Sequence, residues 1–212
     1  MSRFKMSLQK LNQVSRQIMG LKVFGRRFAN DRRGVSAIEF ALVAPFLIMA
    51  YLGMAELTLG MMASRRASHL AATIGDLTAQ SETIDVTSIK DLWAIGTSMM
   101  QPFASASSSG GPLKIRLISV TMQSDSSGKT AGIARVNWCQ QTASQSAACP
   151  KKNDPVSSVT TDQIGIGESL ILTQVDYRFD SPIGNFIKNG TVFSYTFQHH
   201  PRNGIAVACA TC

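Results

Sequence analysis

An α+β chain is predicted, with a long membrane-crossing N-terminal helix, a second helix and a small antiparallel sheet of about four strands. Three observations predict it. Between Glu39 and Glu56 lie sixteen uncharged, mostly apolar residues, and the apolar run continues from Leu57 to Ala63; at about 1.5 Å per residue this stretch can cross a bilayer. Apolar residues then keep a spacing of three or four to about Gln80, which extends the same helix beyond the membrane. After residue 112 the spacing falls to two, the period of half-buried strands. With 212 residues, the chain has room for one domain beyond the membrane segment.

Charge decides the topology. A formal net charge of +8 suggests nucleic acid until it is located: Met1 to Arg33 hold nine Lys/Arg against Asp31 alone, and the remainder is balanced at twelve of each sign. Basic residues beside the first span stay in the cytoplasm and outnumber Arg65 and Arg66 on the far side, so the N-terminus is expected inside and the large C-terminal part outside. The leader holds no nucleic-acid reading motif, and anionic membrane lipid accounts for its charge; nucleic acid is not expected as a partner. Leu11, Val14, Ile18 and Leu21 give the leader a weak helical spacing suited to the inner membrane surface.

An ionised carboxylate in hydrocarbon costs at least a few kcal/mol, so Glu39 requires a partner. Upstream stands Arg32-Arg33-Gly34, and Phe40 and Ala41-Leu-Val-Ala-Pro45 follow the acid. This combination resembles the processing site of type IV prepilins, and within them the TadE-like pseudopilins of the tight-adherence (Tad, Flp) pilus. The resemblance implies a pilin-like fold and cleavage by a prepilin peptidase between Gly34 and Val35. Glu39 then becomes the fifth mature residue, and its carboxylate meets the free α-amino group of a neighbouring subunit, each charge losing its desolvation penalty only on association. It also implies roles in assembly or recognition for Phe40, Pro45 and Glu56. Implied partners are the major Flp pilin, sister TadE-like pseudopilins, the Tad inner-membrane platform and its secretion ATPase. The implied function is assembly, priming or capping of an adhesive pilus by a single-pass inner-membrane protein that is not an enzyme. The alternative is an uncleaved signal anchor carrying a periplasmic binding or sensory domain.

The expected organisation is a leader over 1–34, a membrane helix over 35–62, an exported helical region over 63–103, a Ser/Gly linker over 104–111 and an exported β domain over 112–212. Pro45 removes one backbone hydrogen bond, a loss that membrane helices tolerate. Gly53 and Gly60, with Ala50 and Ala63, offer small residues for close approach of another helix. Glu56 lies about 26 Å beyond Glu39 along a helix, near the outer headgroups, where either solvation or a partner subunit could satisfy it.

Leu59, Met62, Arg66, Leu70, Ile74 and Leu77 carry the first helix onward, with His69 a surface residue. A second helix is expected over Val86 to Met100, capped by Thr87 or Ser88, with Ile89, Leu92, Trp93, Gly96 and Met100 on its apolar face and Pro102 ending it. Strands are expected over Leu113 to Met122, Ile133 to Trp138, Ser169 to Phe179 and Thr191 to Phe197. Asp125 to Gly128 reads as a hairpin turn between the first two, and Asn189-Gly190 as a tight turn into the last. The aromatic residues on these elements are expected in the core.

Cys139, Cys149, Cys209 and Cys212 all fall on the exported side. An even count in an oxidising compartment favours two disulfides, and local pairing is expected, although three connectivities are open. The terminal Cys-Ala-Thr-Cys lacks the strand-to-helix setting of a redox site and the second CxxC of a zinc ribbon. His199-His200 has no third ligand beside it and reads as a surface pair at a strand end. Gly128-Lys129-Thr130 lacks the first glycine of a phosphate loop, with Gln at 123. No catalytic constellation, metal or cofactor is expected.

Overall fold

The computed structural model describes residues 34–103, 111–125, 132–142, 148–182, 187 and 190–212. The leader up to Arg33, most of the expected linker, the turn beyond Asp125, and Asn189 lie outside these residues. Two compact units are present, Met1–Tyr51 and Leu52–Cys212.

The first helix, α1, runs from Val35 to Gln80 with Pro45 inside it. In the first unit its described residues are exposed, Ala44 alone being half-buried. From Gly53 onward a stripe recurs at helical spacing: Gly53, Glu56, Gly60, Ala63, Ala67, Leu70, Ile74 and Thr78 are buried. Small side chains let the helix backbone lie close to what it packs against. A Cβ at Gly60 would stand 2.7 Å from Ile187 Cδ1, and one at Gly75 2.6 Å from Thr173 Oγ1. Gly60 and Ala63 therefore pack inside the second unit rather than offering a surface to another helix, while Ala50 is exposed.

Helix α2 covers Val86–Met99. Its cap is Asp85, not Thr87 or Ser88: Asp85 is extended, and its Oδ1 accepts from the Ser88 backbone N–H at 2.7 Å. A carboxylate satisfies an orphan amide of the first turn, and the helix dipole favours its charge there. Ile89, Leu92 and Gly96 face the core.

Four antiparallel strands, β2 (Leu113–Ser124), β3 (Gly132–Gln141), β4 (Ser169–Phe179) and β5 (Thr191–His199), form a sheet in the order β3-β2-β4-β5. Two short strands, β1 (Thr83–Ile84) and β6 (Ala208–Cys209), pair in parallel beside it and had no signal of length or alternation. Of the turn expected at Asn189-Gly190 only Gly190 is among the described residues, and it lies well beyond the end of β4. Thr191 pairs with Phe179, so all of 180–190 connects β4 to β5. Gly190 has the positive φ of +81° that glycine tolerates, but within this longer connection.

One face of the sheet takes the helices. Leu113, Ile115 and Leu117 of β2, Trp138 of β3, and Ile171, Val175, Tyr177 and Phe179 of β4 join Leu70, Ile74, Ile89 and Leu92 in one core. Gly60 lies near Phe179 and Gly75 near Thr173 and His199, so the upper part of α1 runs antiparallel to β4 and parallel to β5. The register shifts at Asn137, where Val120 pairs with Val136 and Ser119 with Trp138. This bulge turns Ala134 and Val136 to the opposite face while Trp138 faces the helices. On that opposite face a second core forms from Val120, Met122, Ala134, Val136, Leu170 and Leu172, closed by Val159 and Ile164 of the long β3–β4 connection.

Candidate functional site

The residues singled out at the N-terminus follow one another along the exposed start of α1. Gly34 sits one residue before the helix and is exposed, and a side chain there would meet nothing within 4 Å. The Gly34–Val35 peptide bond therefore lies at an uncrowded helix start. Glu39 is exposed amid Ile38, Phe40, Leu42 and Val43, all of them exposed apolar side chains, with Phe40 69% exposed. A carboxylate in that setting is soluble in neither sense: its neighbours favour lipid and its charge does not. Pro45, also exposed, leaves the Ala41 carbonyl without its usual helical donor.

This part of α1 is long and apolar enough to cross a membrane, and its most apolar window is not buried within the protein. Exposure this extensive is unfavourable in water, at roughly 25 cal/mol for each Å2 of apolar surface left wet.

Glu56 has a different setting from Glu39. It is fully buried, and its Oε1 accepts a hydrogen bond from the Ile187 backbone N–H at 3.0 Å. The carboxylate thus ties the β4–β5 connection to α1. Neither headgroup solvation nor a second chain is needed to explain it. Sequence spacing could not have found this contact, because Ile187 follows Glu56 by 131 residues.

Arg66, a topology charge and a member of the helical spacing in the sequence, donates from Nη1 to the carbonyls of Met99, at 3.2 Å, and of Gln101, and its guanidinium lies 6.0 Å from the Phe103 ring centre. A cation at the end of α2 meets the carbonyls that the helix leaves unpaired. Arg65 remains exposed.

The cysteines pair as Cys139–Cys149 and Cys209–Cys212, with Cα separations of 5.7 and 5.5 Å. Both bridges line a single groove of about 670 Å3 beside Trp138.

The histidine pair needs correction. His200 is exposed, but His199 is half-buried at the position where a side chain on Gly75 would collide. Successive strand residues face opposite ways, so the two rings do not converge. Burial pushes the His199 pKa below its ordinary 6.5, and the Asp76 charge partly offsets this. Asp76 is itself held below 3.8, chiefly by the Arg202 side chain that donates to it at 2.7 Å. Among the described residues no three His, Cys, Asp or Glu side chains are grouped to hold a metal.

Residues 34–75 match the family model described as TadE-like protein. The match starts at the proposed cleavage residue and ends at Gly75 within α1, about a fifth of the chain. Neither a curated protein nor a solved structure matches the chain.

Proposed function

We propose, from the match of residues 34–75 to the TadE-like family model, that this chain is a pilus-associated pseudopilin, a minor pilin that primes, caps or studs a Tad pilus. The observation carrying this reading is Glu39, an acid set in an exposed apolar helix five residues beyond Gly34. A prepilin peptidase on the cytoplasmic side cuts after Gly34 and frees the Val35 amine. The amine of one subunit then meets Glu39 of another, so that two charges costly in lipid become tolerable only in an assembly.

The rest of the chain suits that role. The basic leader keeps the N-terminus inside, and the α+β unit beyond α1 is exported to the periplasm, where two disulfides persist. From Gly53 onward the buried stripe of α1 packs within the exported unit, where Glu56 ties it to the β4–β5 connection. The Tad platform and secretion ATPase would recruit the processed chain beside the major Flp pilin. Its task is structural rather than catalytic.

The test is Gly34→Trp in cells that express the peptidase. The wild-type chain should shorten by the mass of its leader on a gel, and the variant should not. Equal migration of both chains at full length would remove the proposal.

A further inference from the structure

The groove beside Trp138 is unused by the function proposed above. It measures about 670 Å3, inside the range of roughly 300–1,000 Å3 typical of ligand sites. Its two banks are strand edges. On one side, β3 is paired with β2 throughout, and on its outer edge the segment 153–156 pairs only as far as Val136: Val136 N–H donates to Asp154 O, and Val136 O accepts from Asn153 N–H. Beyond it, Trp138 to Gln140 have no outer strand partner among the described residues. On the other side, Ala208 and Ala210 donate to Glu82 and Ile84, so Cys209 between them turns its own N–H and C=O away from β1.

Each bank is fixed covalently. Cys139–Cys149 ties β3 to the loop that carries Lys151 and Lys152, and Cys209–Cys212 closes the turn after β6. The floor is held by Trp138, whose Nε1 donates to Val207 O at 2.7 Å. Pre-organised banks lower the ordering cost of binding. Lys151 and Lys152 line the groove and are exposed, and among the described residues no Asp or Glu side chain lines it.

We propose that this groove binds an extended acidic segment of another polypeptide, which adds a strand between β3 and β6 and sets its carboxylates against Lys151 and Lys152. Open edges supply backbone hydrogen bonds to an extended chain, and this favours a peptide over other anions of similar size. The lysine pair selects for acid.

Trp138 reports on the site. The chain has two tryptophans, so Trp93→Phe in the full-length protein leaves Trp138 as the single tryptophan, excited selectively at the red edge where tyrosine does not absorb. The probes are an end-capped pentapeptide alternating Glu and Val, its Lys-Val counterpart, an N-methylated Glu-Val version and oligogalacturonate. The Glu-Val peptide should shift Trp138 emission saturably, and Lys151→Glu with Lys152→Glu should weaken it by about tenfold or more. The Lys-Val and N-methylated peptides should bind at least about tenfold more weakly. Calorimetry on the unsubstituted tryptophan pair repeats the comparison without relying on Trp93→Phe. The proposal is overturned by absent binding of the Glu-Val peptide, by equal binding of both charge types, by charge reversal without effect, or by N-methylated peptide or oligogalacturonate binding as well. No pilus is needed for the measurement, so its outcome is separate from that of the assembly role.

Discussion

Glu56 Oε1 accepts the Ile187 backbone N–H at 3.0 Å, across 131 residues of sequence and with no exposure of the glutamate to solvent. The side chain fastens the β4–β5 connection to α1. Replacing it with Ala leaves a buried amide without its acceptor, at a cost of about 1–3 kcal/mol. For a chain of this size that is roughly 2–4 °C of Tm per kcal/mol. Glu56→Gln keeps an acceptor oxygen and should lose less than half as much. Thermal unfolding of both variants in detergent checks this; equal losses would show that the hydrogen bond is not what matters.

The two buried glycines of α1 should differ when replaced by alanine. At Gly60 the obstacle is Ile187 Cδ1, the far end of a flexible side chain, with Phe179 an ordinary 3.8 Å away. The gain in helix propensity, up to about 1 kcal/mol, should therefore leave Gly60→Ala within about 1 kcal/mol of wild type. At Gly75 the new methyl meets both Thr173 Oγ1 and the His199 ring. Overpacking there should win, destabilising by about 1–2 kcal/mol. Denaturant titration of the two variants distinguishes them, and equal midpoints would contradict the close packing of α1 on β4 and β5.

Stability should fall in acid in two steps. The His199 pKa is lower in the fold than the ordinary 6.5 because of burial, so the unfolded chain binds the proton first. The stabilisation is present above pH 6.5 and is lost as the pH drops through the folded value. Asp76 is shifted below 3.8 by Arg202, and its contribution is lost only at much lower pH. A Tm profile should show the first step in wild type and not in His199→Gln. A first step that survives this substitution would assign it elsewhere.

Much of this fold is legible in residue patterns, and the exceptions have physical reasons. The alternation in Leu113 to Leu117 and Thr173 to Phe179 marks strands because one face of each is buried under helices, whereas Leu170 to Leu172 is a continuous apolar run because both faces are buried there. Helical spacing beyond Gly53 marks a helix for the same reason. Thr83–Ile84 and Ala208–Cys209 are too short for a period, and their pairing is set by contacts distant in sequence. Asp85, Thr87 and Ser88 are equally good caps in isolation; the extended backbone at Asp85 decides among them. The placing of Glu39 among exposed apolar side chains follows from its local setting alone. The contact of Glu56, the burial of His199 and the two-walled groove depend on which loop comes to rest against which strand.

Glu39→Ala should leave the Tm of the unit Leu52–Cys212 unchanged, since Glu39 lies outside that unit, and should leave cleavage after Gly34 largely intact. Pilus number per cell should fall on the order of tenfold, as loss of about 1.4 kcal/mol of subunit association would produce. Counting pili by electron microscopy beside an immunoblot of the processed chain separates the two effects. A normal count would remove Glu39 from assembly.

The most direct measurement is the intact mass of the protein extracted from membranes of cells that assemble the pilus. Processing after Gly34 predicts a chain beginning at Val35, carrying the free amine that Glu39 of another subunit requires. A chain in those same cells that still begins at Met1, with its basic leader attached, would contradict the account.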